Sequence, residues 1–268
     1  MTKTKGALLN IGIWISSLII LIGIIIFQPK GPTDPVKGKI EINGEKITYK
    51  LLRSTGSAGD DTIKITIRSQ QISGKLKYKR YKSKDEWTFK EMTRNGNVLM
   101  VNIPHQPPAG KVIYVPTLSD GKKTYDLYKE PVIIRFRGQV PELILYMHIL
   151  LMVLSMLFSI RTGFEAILKR KKTYLFTIIT MLIFLVGGFI LGPIVQKYAF
   201  GVYWSGFPFG HDFTDNKVAL SLVFWVVAFF KLRKNKENTK WAVIAAGIFL
   251  VIYLIPHSIF GSELIFTK

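Results

Sequence analysis

The residues best suited to chemistry in this sequence are three of its histidines. His148 lies inside an apolar segment, His211 is followed by Asp212, and His257 stands at the end of another apolar segment. An imidazole can bind a metal, and beside a carboxylate it can act as an acid or base near neutral pH. The sequence therefore offers a metal site or an acid–base site if the fold brings these side chains together.

A polar stripe runs along the segment that contains His148. Its members are spaced by four, three, four and three residues, namely His148, Met152, Ser155, Ser159 and Thr162. This spacing puts them on one face of a helix, so we expect the stripe to face protein rather than lipid. Imidazole and thioether groups suit copper or haem iron. The alternative, which the sequence favours, is packing between helices through hydrogen bonds.

The loop that carries His211 reads YWSGFPFGHDFTDNK, residues 203–217. Its aromatic residues suit the headgroup level of a bilayer, and its glycines and proline favour turns. Thr214 and Asp215 are expected to cap the helix that follows. An interfacial turn and a helix cap explain most of this loop, and the adjacent His211 and Asp212 remain unexplained.

Five apolar segments must position these residues, at 7–27, 143–160, 173–195, 218–230 and 241–256. The first has no charge over 21 residues, which is enough to cross a bilayer as a helix. It is preceded by two lysines and followed by no small-x-small cleavage site, which indicates an uncleaved signal anchor. We therefore predict an integral membrane protein with five transmembrane helices.

Basic residues predict the orientation of these helices. Two lysines precede the first segment, and basic clusters fill the connections 161–172 and 231–240. Because such clusters mark the cytoplasmic side, we place the N-terminus inside the cell. Residues 28–140, the loop 196–217 and the C-terminus are then extracytoplasmic, most simply at the cytoplasmic membrane of a bacterium.

The three histidines fall at the same outer boundary in this topology. If the helices bring them together, a metal site follows, made of His148, Met152, His211, Asp212 and His257. Copper or haem is the cofactor that these ligand types fit. The sequence alone does not decide whether these residues meet.

Several kinds of chemistry are excluded by composition. The chain of 268 residues has no cysteine, which excludes thiolate catalysis, disulfides and cysteine-ligated zinc or iron–sulfur sites. It also has no P-loop, dinucleotide fingerprint, HExxH or GxSxG pattern. Whether the protein is an enzyme stays open.

The long extracytoplasmic region reads as an all-β domain. The domain boundaries that follow are 1–27 for the N-terminus and signal anchor, 28–140 for the β domain, and 141–268 for a four-helix membrane domain. Alternating residues and the turn signals Asn43-Gly44 and Asn95-Gly96 indicate about seven short strands. We predict a β-sandwich of immunoglobulin-like or fibronectin-like layout, inserted between the first and second transmembrane helices.

The β domain is strongly basic. Residues 28–140 contain 22 Lys and Arg against 11 Asp and Glu, and the stretch KLKYKRYKSK interleaves Tyr78 and Tyr81 with lysines. One interpretation is an anionic partner such as lipid headgroups, polysaccharide or an acidic protein. The other, which we favour, is a solvated strand that lysines protect from aggregation. Nucleic acid is not expected outside the cytoplasm.

The leading functional hypothesis is a non-enzymatic binding or accessory subunit of the cell envelope. Its β domain would engage a partner, and its helices would contact membrane lipid and another membrane protein. A metal- or haem-binding protein at the outer face is the first alternative. A membrane enzyme acting on a lipid or envelope substrate, with His211 and Asp212 as acid–base residues, is the second.

Overall fold

A computed structural model describes residues 3–29, 31–56, 58–210 and 212–255. Within these residues the chain divides into two compact units. The helical unit contains the N-terminal helix, residues 140–197 and the described chain from residue 202 onward. The β unit contains residues 32–139 together with 198–201.

The helices of the first unit are α1 (Lys3–Ile26), α2 (Glu142–Ile167), α3 (Thr173–Phe184), α4 (Gly192–Phe200), α5 (Phe213–Lys234) and α6 (Lys240–Leu254). A π-helical segment, Leu185–Leu191, joins α3 and α4 into one helical stretch. Four stretches are long and apolar enough to cross a membrane, namely Thr4–Ile26, Glu142–Ile167, Thr173–Phe200 and Phe213–Lys234. This agrees with a membrane protein, and α6 is a shorter apolar helix of 15 residues.

Two helix boundaries differ from the sequence expectation. Helix α2 continues to Ile167, so that Arg161, which we assigned to a cytoplasmic loop, lies inside the helix. Helix α5 begins at Phe213, and its N-cap is Asp212 rather than Asp215. The Asp212 carboxylate accepts a hydrogen bond from the backbone N–H of Thr214 at 2.8 Å, which satisfies a free donor of the first turn.

Helix α1 uses one narrow face for packing. The buried residues are three or four positions apart, namely Ile13, Ser17, Leu21 and Ile24. Leu21 and Ile24 join a core cluster that also contains Met156, Phe184 and Trp225. The other faces of α1 expose leucine and isoleucine, as expected for a helix surrounded by lipid.

The described residues of the β unit form eleven strands, more than the seven expected, because several are only two to four residues long. They are β1 (Val36–Ile42), β2 (Glu45–Leu51), β3 (Ser54–Thr55), β4 (Asp61–Thr66), β5 (Ser73–Arg80), β6 (Thr88–Glu91), β7 (Thr93–Asn95), β8 (Val98–Ile103), β9 (Lys111–Ser119), β10 (Thr124–Asp126) and β11 (Val132–Phe136).

Three hydrogen-bonded sheets result. Strands β1 and β2 form a hairpin, β4, β8 and β7 form a three-stranded sheet, and β3, β11, β9, β5 and β6 form a larger sheet with β10 beside β9. All pairs are antiparallel except β3 with β11. Residues of all three sheets contribute to one core, including Ile47, Ile65 and Tyr114.

The first predicted turn is confirmed. Asn43 and Gly44 lie between the paired residues Ile42 and Glu45, with φ angles of 50° and 81°. Positive φ at both central positions is typical of the two-residue turn that matches the twist of a hairpin.

Strand β9 has one face toward the core and one face away from it. Its residues alternate between buried and half-buried along its whole length.

Candidate functional sites

His148 lies on α2 and contacts the π-helical segment. Its Nδ1 is 2.8 Å from the carbonyl oxygen of Gly187, within hydrogen-bond distance. A π-helical segment changes the regular backbone hydrogen bonding of a helix, and here His148 bonds one of its carbonyl groups. Met152, one turn further along α2, lies near Gly188. The first two residues of the stripe therefore pack between helices.

His148 and Met152 are half-buried, and the remaining stripe residues, Ser155, Ser159 and Thr162, are buried, so the expectation that this face meets protein is confirmed. Gly187 and Gly188 of the π-helical segment permit α2 to approach this segment closely. A Cβ on Gly187 would lie 2.7 Å from the Cβ of Leu151, which is too close for any side chain. Gly187 therefore serves the close packing of the π-helical segment against α2.

The predicted metal site is not assembled within the described part of the chain. There, no group of three or more His, Asp or Glu side chains is placed to hold a metal ion. His211 and His257 lie outside the described residues. The copper or haem site therefore stays a prediction, of which the structure places His148, Met152 and Asp212.

Asp215 organises the loop before α5. One of its carboxylate oxygens accepts hydrogen bonds from the backbone N–H of Ser205 at 2.6 Å and of Gly206 at 3.0 Å. The side-chain amide of Gln196, on α4, donates to the same oxygen at 3.0 Å. The Ser205 hydroxyl lies 3.2 Å from the carboxylate of Asp212. Two buried carboxylates thus fix the loop to the ends of two helices.

The same loop presents aromatic side chains outward. Phe207 and Phe209 are 79% and 82% exposed, although the backbone N–H of Phe207 is held by the Asn216 side chain at 2.7 Å. The loop also lies between the ends of two candidate membrane spans, at residues 200 and 213. A fixed loop with exposed aromatics at this position fits the interfacial turn that the sequence indicated.

Lys217 is a buried charge that sequence reasoning missed. Its Nζ donates to the carbonyl oxygen of Ile255, just after α6, at 2.8 Å. A lysine at a helix C-terminus satisfies a free carbonyl and interacts favourably with the helix dipole. The first turn of α5 is therefore joined to the end of α6.

A second missed cluster lies inside the helical unit around Arg161. Its Nη2 donates to the Oδ1 of Asn10 on α1 at 2.7 Å and to the Oε1 of Glu165 at 2.6 Å. Arg170 also donates to Oε1 of Glu165, at 3.0 Å. Arg161 and Glu165 are each 0% exposed. The spacing of four residues between them was the available signal, because it puts both on one helix face.

Aromatic rings surround the Arg161 guanidinium. Its central carbon lies 4.7 Å from the ring centre of Phe176 and 5.3 Å from that of Trp14. Arg161 Nε and Nη1 and Glu165 Oε2 have no hydrogen-bond partner among the described residues. Arg161 of α2 therefore contacts α1 through Asn10 and Trp14, and α3 through Phe176.

The β unit carries a lysine–aromatic face, which we define as Lys75, Lys77, Lys79, Trp87 and Phe89. The three lysines occupy alternate positions of β5, and Leu76 between them is buried in the core. The Nζ of Lys77 lies 4.4 Å from the ring centre of Trp87, and that of Lys79 lies 5.3 Å from it. Phe89 pairs with Lys77 across the strands and is 61% exposed.

An aliphatic row continues this face onto the next strands. Ile113 and Val115 of β9 stand opposite Lys79 and Lys77, and Ile133 of β11 stands opposite Ile113. All three aliphatic residues are half-buried. Outward positions of a solvated strand are normally polar. This face instead combines aliphatic, aromatic and cationic groups.

The connection between β5 and β6 is braced by an ion pair. Arg80 donates to both carboxylate oxygens of Asp85, at 2.6 and 2.8 Å. The hydrogen bonds from this guanidinium hold the pKa of Asp85 at about 2, well below its usual range. The brace closes the turn that places Trp87 beside Lys77 and Lys79. The sequence identified these lysines, but it did not indicate that Trp87 folds back onto them.

No family model and no curated protein matches this sequence. A crystal structure of a Br derivative of BhCBM56 is similar in part, with 12% sequence identity over 40% of this chain and 96% of that chain. The TM-score is 0.25, so this similarity decides neither the fold of the β unit nor its function.

Proposed function

We propose that this chain is a membrane-anchored, non-enzymatic binding protein, and that its β unit engages an acidic envelope or membrane protein. The observation that carries the proposal is the lysine–aromatic face, with Phe89 exposed beside Lys77 and Trp87. Protein interfaces combine an apolar, aromatic-rich centre with a polar rim. Here the aliphatic row and the aromatic rings would form the centre, and the lysines would select an acidic surface.

Five membrane crossings are part of the proposal, and the contacts of α6 support them. The end of α6 lies beside the start of α5, through Lys217 and Ile255. Its start lies near the end of α5, where Lys231 Nζ is 5.6 Å from the ring centre of Trp241. Helix α6 therefore runs antiparallel along α5, although it is shorter than the other spans.

The orientation and the class of the β unit are also proposals. With five crossings, the basic connections lie in the cytoplasm and the β unit lies outside it. The shared core of the sheets supports a sandwich of immunoglobulin-like or fibronectin-like layout. We also propose that the protein lies in the cytoplasmic membrane of a bacterium, a location with which this topology is compatible.

Site-specific crosslinking tests the partner hypothesis. Because the chain has no cysteine of its own, a thiol-reactive label attaches only at the introduced residue. A Phe89→Cys variant carrying a photoreactive label is irradiated in native membranes. We expect one discrete protein adduct, whose yield falls at least several-fold when Lys77→Glu and Lys79→Glu are added. A label at Lys122→Cys, an exposed site in another turn, is the matched control and should give no such adduct.

Two outcomes would contradict the proposal. Labels at Phe89→Cys and Lys122→Cys could give the same products, which would mean that the face has no selectivity. The adduct yield could also be unaffected by the lysine reversals, which would remove the electrostatic basis of recognition. The unfolding temperature of each variant is measured in parallel, so that loss of fold is separated from loss of binding.

A further inference from the structure

A second basic surface of the β unit has a different chemical character. It is a groove of about 430 Å³ over β1, β2 and β4. The side chains that supply its polar groups are Lys37, Lys39, Thr48, Lys50, Lys64 and Thr66. We call it the four-lysine groove. No acidic residue and no aliphatic residue lines it.

The strand register places like charges together at this groove. Lys37 of β1 stands directly opposite Lys50 of β2. At the other end of the same hairpin, Glu41 stands opposite Lys46. Like charges directly opposite each other destabilise a sheet, whereas opposite charges stabilise it. The hairpin thus compensates charge near its turn and leaves it uncompensated at the groove.

The four lysines are also without internal partners. No hydrogen bond or ion pair joins the side chain of Lys37, Lys39, Lys50 or Lys64 to another residue in the described part of the chain. All four side chains are exposed. This differs from Lys75, which forms an ion pair with Glu91 at 2.8 Å. The groove lysines are therefore available to an external anion.

The lysines lie on the outward face of the hairpin. Gly38 and Tyr49 stand opposite each other across the two strands, and because successive strand residues alternate, their side-chain positions are on the other face. Tyr49 packs there against the core of the β unit, and a Cβ on Gly38 would overlap its hydroxyl. The groove between the flanking lysines is therefore lined by the strand backbone at positions 38 and 49.

We propose that the four-lysine groove binds a ligand that carries at least two phosphate groups. An ammonium group is a compact point charge that suits phosphate, and threonine hydroxyls can donate further hydrogen bonds. Four positive charges match two phosphate monoesters, each of which carries about −1.5 to −2 at pH 7. This site lies on other strands than the lysine–aromatic face and does not depend on the proposed protein partner.

Calorimetric titration of the full chain in zwitterionic nanodiscs tests this site. The probes are inorganic tripolyphosphate, orthophosphate and citrate. Citrate is a tricarboxylate whose charge is similar to that of tripolyphosphate. We expect tripolyphosphate to bind at least about tenfold more tightly than orthophosphate or citrate, which corresponds to one or two extra charge-assisted contacts. Lys37→Gln with Lys50→Gln should weaken tripolyphosphate binding by a similar factor.

The matched control is Lys122→Gln with Lys129→Gln, which removes the same charge from exposed positions elsewhere in the β unit. It should bind tripolyphosphate like the parent. If it weakens binding as much as the groove variant does, the attraction is general and the site is refuted. Equal affinity for citrate and tripolyphosphate would refute the phosphate assignment.

Two further results separate this inference from the proposed function and from misfolding. Lys77→Glu with Lys79→Glu should lower the yield of the protein adduct at least several-fold and leave at least half of the tripolyphosphate affinity. The groove variant should unfold at a temperature no lower than the parent, because it relieves the Lys37–Lys50 repulsion. A folded groove variant with unchanged affinity would overturn the inference.

Discussion

The two units of this protein differ in the burial and the pairing of their charged side chains. In the helical unit, Arg161 and Glu165 are completely buried and bonded to each other. In the β unit, Lys37, Lys39 and Lys50 are exposed and have no ion-pair partner among the described residues. Buried charges that are internally bonded hold helices together, whereas exposed charges without partners remain free for an external ligand.

The surroundings explain this difference. An ionised group within a membrane is costly, so it is retained only with bonded partners inside the protein. Asp215 and Lys217 follow the same rule, since each bonds backbone groups close to it. A lysine on a solvated strand has little such cost, and even a surface ion pair adds only about 0–1 kcal/mol. Exposed lysines are therefore compatible with stability whether or not they bind a partner.

The largest expected effect comes from breaking the buried pair. Among the described residues, Arg161→Met leaves Glu165 with Arg170 as its only charged partner and removes the bond to Asn10. Loss of one member of a buried pair costs about 3–5 kcal/mol. We expect a corresponding loss in the free energy of unfolding of the helical unit, measured by denaturant titration in detergent micelles.

Two comparisons sharpen that result. Arg233→Met removes an arginine from an exposed position of α5 and should change the free energy of unfolding by well under 1 kcal/mol, as surface substitutions do. Arg161→Met with Glu165→Met should be less destabilising than Arg161→Met alone, because no carboxylate is left buried without its main partner. A single variant as stable as the parent would show that the cluster does not hold the helices together.

A smaller loss is expected when Asp215 becomes neutral. Asp215→Asn keeps the shape of the side chain but weakens the bonds from Ser205, Gly206 and Gln196. Bonds to a charged acceptor contribute about 1.5–3 kcal/mol each, and neutral ones about half of that. Hydrogen exchange at the backbone amides of Ser205 and Gly206 should become at least tenfold faster, while exchange in α3 is unchanged. Equal protection in both proteins would mean that the carboxylate does not hold the loop.

The β unit has its own buried polar group, and its effect depends on pH. Tyr114 is fully buried, and its hydroxyl donates to the carbonyl oxygen of Leu52 at 2.8 Å. Burial raises the pKa of Tyr114 far above its usual value, because the phenolate form would lose its hydration. The unfolded chain releases this proton near pH 10, so the stabilisation is complete below pH 10 and decreases as the pH rises above it.

Tyr114→Phe tests this dependence. At pH 7 the variant should lose about 1 kcal/mol, since one hydrogen bond is removed and a carbonyl is left without it. Above pH 10 the difference from the parent should shrink, because only the parent is destabilised by ionisation of this residue. Unfolding is followed by near-ultraviolet circular dichroism between pH 7 and 11. A difference that grows with pH would contradict the assigned sign.

Patterns of local sequence were sufficient to predict much of the fold. Uninterrupted apolar runs indicated the helices, and Asn43-Gly44 indicated the hairpin, because each depends on neighbouring residues only. The stripe from His148 to Thr162 was correctly oriented by its helical spacing. Helix ends were less certain, since α2 extends past Arg161 once Glu165 and Asn10 supply partners for a charge that would otherwise end the span.

The candidate sites could be predicted from the sequence only in part, because they depend on contacts between residues on different strands. Trp87 reaches Lys77 only because Arg80 and Asp85 close the turn between them. The Lys37–Lys50 pair of the four-lysine groove does follow from the predicted turn, because a two-residue turn at Asn43-Gly44 fixes the register of its hairpin. The groove also needs Lys64 and Thr66 of β4, and neither the place of that strand nor that of Trp87 follows from spacing along the chain.

The smallest effect is expected at the brace of the lysine–aromatic face. Asp85→Asn removes the charge that Arg80 binds, at a site that is partly exposed. The folded pKa of Asp85 is about 2, below the value near 4 of an unfolded aspartate. The stabilisation is therefore present above pH 4 and is lost as the pH falls toward 2.

Acid titration of the parent and the variant, followed by tryptophan fluorescence, measures this loss. The two proteins should differ slightly at pH 6 and should converge as the pH approaches 2, whereas Asp126→Asn, an exposed control, should follow the parent throughout. Convergence would show that a charge in the β unit can stabilise locally even when exposed, which qualifies the contrast between the units. If the variant and the parent are identical at every pH, the brace contributes no stability, and the position of Trp87 is set by the strands alone.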